Sequence, residues 1–302
     1  MLPLHDDVPT RHRAWLTLAL IVANIAVFAL VQPHGTASDA RFTYERAAIP
    51  CELTQGRPIT ASEVVTGECG APTVRTVQGL VPDRPLFPDK NVFLAVLVSM
   101  FLHGSWLHLL GNMLFLWIFG NNVEDRFGPV VLAGLYVLWG VVATAGYWAT
   151  NSDSTTPLVG ASGAIAGVMG AYLVLWPRAR ILTLVFYVVV PLPAALVLGG
   201  WFVLQFFTDS GAGVAWMAHV TGFVAGMAVG AASRAVSGPP DGPGGAGRGR
   251  RPAPYPGWSR PILPPDAPRP GWPPPDPPGR WPRVLPVASP RRGTNSTRSF
   301  AT

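Results

Sequence analysis

The chain has 302 residues, of which 49% are hydrophobic and only 13% charged, and its mean hydropathy is positive. A charge content about half the ~25% usual for soluble domains excludes an ordinary water-soluble globule and implies a membrane protein. The net charge of +6 does not imply a nucleic-acid groove. Residues 237–302 hold 10 Arg and 3 Asp (+7), while the other 236 residues hold 12 basic and 13 acidic groups (−1). Lys90 is the sole lysine beside 21 arginines, and the abundant Ala, Gly and Pro suggest a GC-rich bacterial genome.

Charge-free stretches at 14–38, 91–123, 127–152, 154–177, 181–208 and 210–233 each reach the ~20 residues a helix needs to cross hydrocarbon. They predict an all-α, polytopic protein of six transmembrane helices. The domain plan is a cytoplasmic N-terminus at 1–13, a membrane domain at 14–236 with a loop at 33–90, and a tail at 237–302. The first stretch, "WLTLALIVANIAVFALV", is too long for a cleavable signal. In the second, Gly104 and Ser105 separate an interfacial or partly buried helix at 91–102 from a span at about 105–122. Span five contains Pro191 and Pro193, which interrupt helical hydrogen bonding and predict a flexible span. The tail holds 19 of the 33 prolines and is predicted to be disordered.

Arg126, Arg178 and Arg180 lie in short loops on one side, with Arg11, Arg13 and Arg234 beside them. The loops on the other side carry only Asp153 and Asp209. The positive-inside rule then places both termini in the cytoplasm of a multi-pass cell-membrane protein. Cys51 and Cys69 share the 33–90 loop. They are two free thiols, or a disulfide if that loop faces an oxidising compartment, as this orientation predicts.

Polar groups within apolar spans are functional candidates. Ser162 in "GASG", His219 in "AHVTGFVAG", and His108 and Asn112 in "HGSWLHLLGN" all fall near the outer ends of inward-running spans. At 1.5 Å per residue they share a layer about 5–12 Å deep. A hydroxyl and an imidazole at one depth make a nucleophile and a general base. With no carboxylate there, a Ser162–His219 dyad is expected. His108 and Asn112, four residues apart on one helical face, can donate to an oxyanion. Gly163, Gly167 and Gly170 on span four, and Gly222, Gly226 and Gly230 on span six, form small-residue stripes that allow close helix packing. Gly160 and Gly163 let the backbone begin a helix at depth, tolerable beside a water-filled cavity. Taken singly, Ser162 could be a packing residue bonded to its own helix, and Asn112 or His219 an interhelical contact. His103 and His108, five apart, do not share a helical face, so no metal site is expected.

These motifs resemble the rhomboid intramembrane serine proteases over about residues 92–232. The resemblance assigns Ser162 as nucleophile, His219 as general base, His108 and Asn112 as oxyanion-stabilising groups, and His103, Gly160, Gly163 and Gly222 as supporting residues. "VEDRFG" matches a Glu-x-Arg pattern that looks structural. The chain departs from many relatives in lacking a Trp-Arg pair before span two. It also has Ala166 where they have an aromatic that stacks on the catalytic His, so His219 must be held otherwise, with Trp216 and Phe223 as candidates. The resemblance implies cleavage of transmembrane protein substrates in or beside their membrane segments, within the lipid bilayer and with no cofactor. The active site would open to the extracytoplasmic side, and substrate would enter past span five and the 208–213 loop. A non-catalytic rhomboid-like binding or quality-control factor, and a small transporter, are the alternatives. Substrate identity and oligomeric state are not legible.

Overall fold

Residues 2–77, 79–207, 215–238 and 240 are described in a computed structural model of the chain. The 208–213 loop and the tail from 241 onward lie outside the described residues, and with them the expectation of disorder. Helices occupy at least part of every apolar stretch, and capping chemistry sets several of their starts. Helix α1 (Trp15–Ala26) continues as a π-helical turn at Val27–Val31. Its first backbone N–H groups have no acceptor within the helix. Glu124 supplies one: its carboxylate accepts from Leu16 N–H at 2.9 Å, and from both Thr17 N–H and Thr17 Oγ1 at 2.7 Å. An anion at a helix N-terminus also complements the helix dipole.

In the loop that follows, α2 (Thr36–Arg46), α3 (Pro50–Gln55) and α4 (Ala61–Thr66) form a small layer around buried Ile49, Cys51 and Ile59. Thr60 and Glu63 make a capping box on α4. Burial alone would raise the Glu63 carboxyl. Donors from Thr60 N–H, Gln55, Gly70 N–H and Arg57 outweigh it and hold the group down at about 2. Cys51 and Cys69 are joined as a disulfide. Lys90 Nζ lies 2.7 Å from Glu52 Oε2, with both side chains almost fully buried. Strands β2 (Val74–Thr76) and β3 (Gly79–Val81) pair antiparallel.

The expected helix at 91–102 shrinks to α5 (Leu94–Ser99). Ser105 then caps α6 (Trp106–Phe127), accepting from His108 N–H. Gly128 (φ +80°) and Pro129 turn the chain into α7 (Pro129–Thr150). Helix α8 (Ser162–Leu175) is central among the described residues, buried from Gly163 to Tyr172. It packs against α6, α7 and α10 (Trp216–Ser237). The Glu-x-Arg reading as structural fits these contacts. Arg126 bonds Ser233 Oγ at 3.1 Å and the carbonyls of Ser233 and Gly238 at 3.2 and 3.0 Å, tying the end of α6 to the end of α10.

The all-α expectation is corrected. Residues 180–193, read as the first half of span five, fold as an antiparallel hairpin of β4 (Arg180–Val185) and β5 (Val188–Pro193), and β1 (Leu2–Asp6) pairs along β4. The segment "ILTLVFYVVVPLP" is β-branched and aromatic, which suits a strand. Pro191 and Pro193 lack the N–H that a helix interior requires, and they sit on β5, an edge strand that tolerates them. Only α9 (Ala194–Gln205) of this stretch is helical. Among the described residues, α7 and α10 are long and apolar enough to cross a membrane, while 15–31, α8 and α9 are shorter apolar helices.

Candidate active site

Gly160 adopts φ +125°, and its N–H donates to the Ser99 carbonyl at 2.9 Å. That extended glycine turns the chain from the 151–159 segment into α8, so Ser162 becomes the first helical residue. No side chain caps α8. The Ser162 and Gly163 N–H groups, at the helix start, have no acceptor within the helix and sit at its positive end.

Helix α10 approaches α8 at van der Waals distance, because glycines line both faces. A Cβ on Gly222 would overlap the Gly163 carbonyl, and one on Gly226 the Gly167 carbonyl. This contact carries His219 to Ser162, with Nε2 2.9 Å from Oγ. Both side chains are half-buried. They line a cavity of about 900 Å³ together with His108, Asn112, Tyr147, Trp201 and Trp216.

His108 stands over Gly160. A Cβ there would come within 2.9–3.0 Å of the imidazole and push the ring aside, and the φ of +125° itself favours glycine. Asn112, one turn further along α6, is buried, and its Nδ2 has no hydrogen-bond partner among the described residues. His103 is fully buried and packs its ring on His108, 5.2 Å between centroids, with Phe28 at its other edge. The Gln32 amide bonds both the N–H and the carbonyl of His103, at 3.1 and 2.6 Å, fixing its backbone. The candidate residues therefore meet at one end of α8: Ser162, His219, His108, Asn112, Gly160 and Gly163 line the cavity, and His103 and Gly222 pack beside it.

The imidazole of His219 is not held as expected. Trp216 packs on Phe206, and Phe223 on Phe202 and Trp201. Two residues of α9 hold it instead. Trp201 lies 5.7 Å from the imidazole, tilted by 40°, and Gln205 Oε1 is 2.7 Å from His219 Nδ1. No motif singles out Gln205. Yet it is the only strongly polar residue in the apolar run 194–207, the feature that drew attention to Ser162 and Asn112.

The family model of the Rhomboid domain matches residues 90–235, which contain all eight candidates. "RHOMBOID-like protein 5" of Arabidopsis thaliana is 27% identical over 169 residues, 55% of this chain and 52% of that protein. "Rhomboid protein 1, mitochondrial" of Saccharomyces cerevisiae is 32% identical over 112 residues, 36% of this chain and 30% of that protein. "Rhomboid protease GlpG" of Serratia proteamaculans is 33% identical over 129 residues, 42% of this chain and 43% of that protein. The chain spans about half the length of the first of the curated relatives it matches. Residues 90–235 thus form a domain of the rhomboid family.

Proposed function

We propose that this protein is an intramembrane serine protease that hydrolyses peptide bonds in or beside the transmembrane segments of other membrane proteins. The observation that carries the reading is the 2.9 Å approach of Ser162 Oγ to His219 Nε2 at the mouth of a cavity. Around it stand groups able to donate to a substrate oxygen, namely the Asn112 Nδ2 amide, the His108 imidazole and the open N-terminus of α8.

The chemistry follows from that arrangement. His219 Nε2 takes the hydroxyl proton as Ser162 Oγ bonds to the substrate carbonyl carbon. Negative charge gathers on the carbonyl oxygen, where Ser162 N–H, Asn112 and His108 can donate. The imidazolium returns its proton to the amide nitrogen, the C–N bond breaks, and an acyl-enzyme remains. Water, deprotonated by the same imidazole, then releases Ser162. No cofactor enters these steps.

In this reading six segments cross the membrane: 15–31, α6, α7, α8, α9 and α10. Helix α8 has 14 residues, about 21 Å, less than the ~30 Å of hydrocarbon. A short helix suits a central position, since it is sheathed by protein and starts at the depth of the cavity. Both termini face the cytoplasm, 1–13 and 237–302 flank a membrane domain at 14–236, and the cavity opens to the outer side. Substrate enters past α9.

Labelling by a fluorophosphonate in detergent tests the reading. Wild type should label and should cleave a transmembrane reporter. Ser162→Ala should do neither, and His219→Ala should lose cleavage with its thermal unfolding unchanged. Failure of the wild type to label would favour a non-catalytic binder of membrane proteins.

A further inference from the structure

His219 has two ring nitrogens, and only one tautomer can act on Ser162. The hydroxyl must donate to an unprotonated Nε2, so the ring proton has to sit on Nδ1. In triad hydrolases a carboxylate enforces this. Among the described residues no carboxylate bonds His219. Gln205 Oε1 does, at 2.7 Å from Nδ1.

The Gln205 amide is itself oriented. Its Nε2 donates to the Trp201 carbonyl at 3.1 Å, one turn back along α9, so its oxygen faces the imidazole. An amide oxygen only accepts, and therefore Nδ1 must donate. Gln205 is only 7% exposed, so water cannot readily replace it as acceptor. Trp201, on the same face of α9, covers the ring that Ala166 on α8 is too small to reach.

We propose that Gln205 is a positioning residue for catalysis: its side-chain oxygen fixes His219 as the Nδ1–H tautomer, aiming the Nε2 lone pair at Ser162. The base is thus set by α9, a different helix from those carrying nucleophile and base, and it is correctly prepared only while α9 is seated against α10. The assignment rests on the proposed serine-protease reading.

The test uses full-length protein in micelles, with histidine labelled by 15N and the His219 signals assigned by difference against His219→Ala. Wild type should show a protonated Nδ1 and an unprotonated Nε2. Gln205→Leu, close in volume but without an acceptor, should lose that signature. It should slow fluorophosphonate labelling and kcat on the order of 10–100-fold, the size of a lost buried hydrogen bond, with KM within about twofold. Gln205→Glu, which still accepts from Nδ1, should keep both the signature and most of the labelling rate. Two results would each overturn the assignment: an unchanged Nδ1–H signature in Gln205→Leu, or wild-type labelling once the signature is lost. Labelling that survives Ser162→Ala would instead overturn the protease reading itself.

Discussion

At the scale of single residues, one unpartnered donor lines the proposed site. Asn112 Nδ2 is buried and has no partner among the described residues, which ordinarily costs about 1–3 kcal/mol. Such a cost is tolerable for a donor whose acceptor arrives with the substrate. Asn112→Ala should therefore lower kcat by about 10²–10³-fold, the range found for lost oxyanion donors, with little loss of thermal stability. Single-turnover cleavage of a reporter reads the first, and unfolding in detergent the second. Asp6 presents the converse case. Its Oδ2 accepts from Tyr172 OH at 2.6 Å and Asn122 Nδ2 at 2.8 Å, yet desolvation dominates and pushes the carboxyl up to about 6 from 3.8. The folded state therefore holds this proton more tightly than the unfolded chain does. The resulting stability is fully present below about pH 4 and is lost as pH rises through 6. Asp6→Asn keeps one oxygen for both donors and never ionises. It should be more stable than wild type above pH 6, by up to about 3 kcal/mol, the difference between about 6 and 3.8 expressed as free energy. Below about pH 4 the two should match. Unfolding midpoints from about pH 3.5 to 7.5 check this, and a constant gap over that range would refute it.

Between elements, the decisive contact is α8 against α10. Its closeness comes from glycines, and Gly226 is the tightest point, seated on the Gly167 carbonyl. Gly226→Val has nowhere to put its side chain unless α10 moves outward. Overpacking of this kind costs typically about 1–3 kcal/mol. The movement would also separate His219 from Ser162, since His219 lies two turns from Gly226 along α10. Fluorophosphonate labelling should fall below detection even where circular dichroism still reports a helical protein. Much of this contact was legible in the sequence, because glycine spacing on two spans predicts their approach, and the shared depth of Ser162, His219, His108 and Asn112 predicts the site. Other elements were not. Hydropathy cannot separate an apolar strand from an apolar helix, so the β4–β5 hairpin reads as half a span until its β-branched residues and two prolines are weighed. Gln205 acts through a neighbour 14 positions away on another helix, a distance that no local pattern reports. The role given to Trp216 and Phe223 failed for the same reason, since their rings turn toward phenylalanines of the 202–206 region.

Across the whole molecule, the disulfide and the proposed active site belong to one side. Residues 48–54 of the first loop bond directly to the segment that leads into Ser162. Cys51 N–H donates to the Ser154 carbonyl at 3.0 Å, Leu158 N–H to the Ala48 carbonyl at 2.8 Å, and Thr54 Oγ1 to the Ser152 carbonyl at 2.8 Å. In the proposed orientation, the compartment that oxidises Cys51 and Cys69 is the one onto which the cavity opens. Disulfides persist in oxidising compartments, which supports the outer-face orientation proposed from the arginine distribution. The buried Lys90–Glu52 pair braces the same layer, so its shape does not depend on the crosslink alone. Intact cells should thus show three linked results. A membrane-impermeant reductant should open the bond, after which an impermeant maleimide should label the partly exposed Cys69 without lysis, while Cys51 is buried. Labelling of Ser162 by a fluorophosphonate should survive, because none of the cavity's reacting groups lies within the 51–69 loop. Proteolytic nicking within that loop should increase, consistent with the roughly 3 kcal/mol expected for a crosslink closing about 18 residues. Thiol labelling that appears only after lysis would put the loop, and the cavity with it, on the cytoplasmic side.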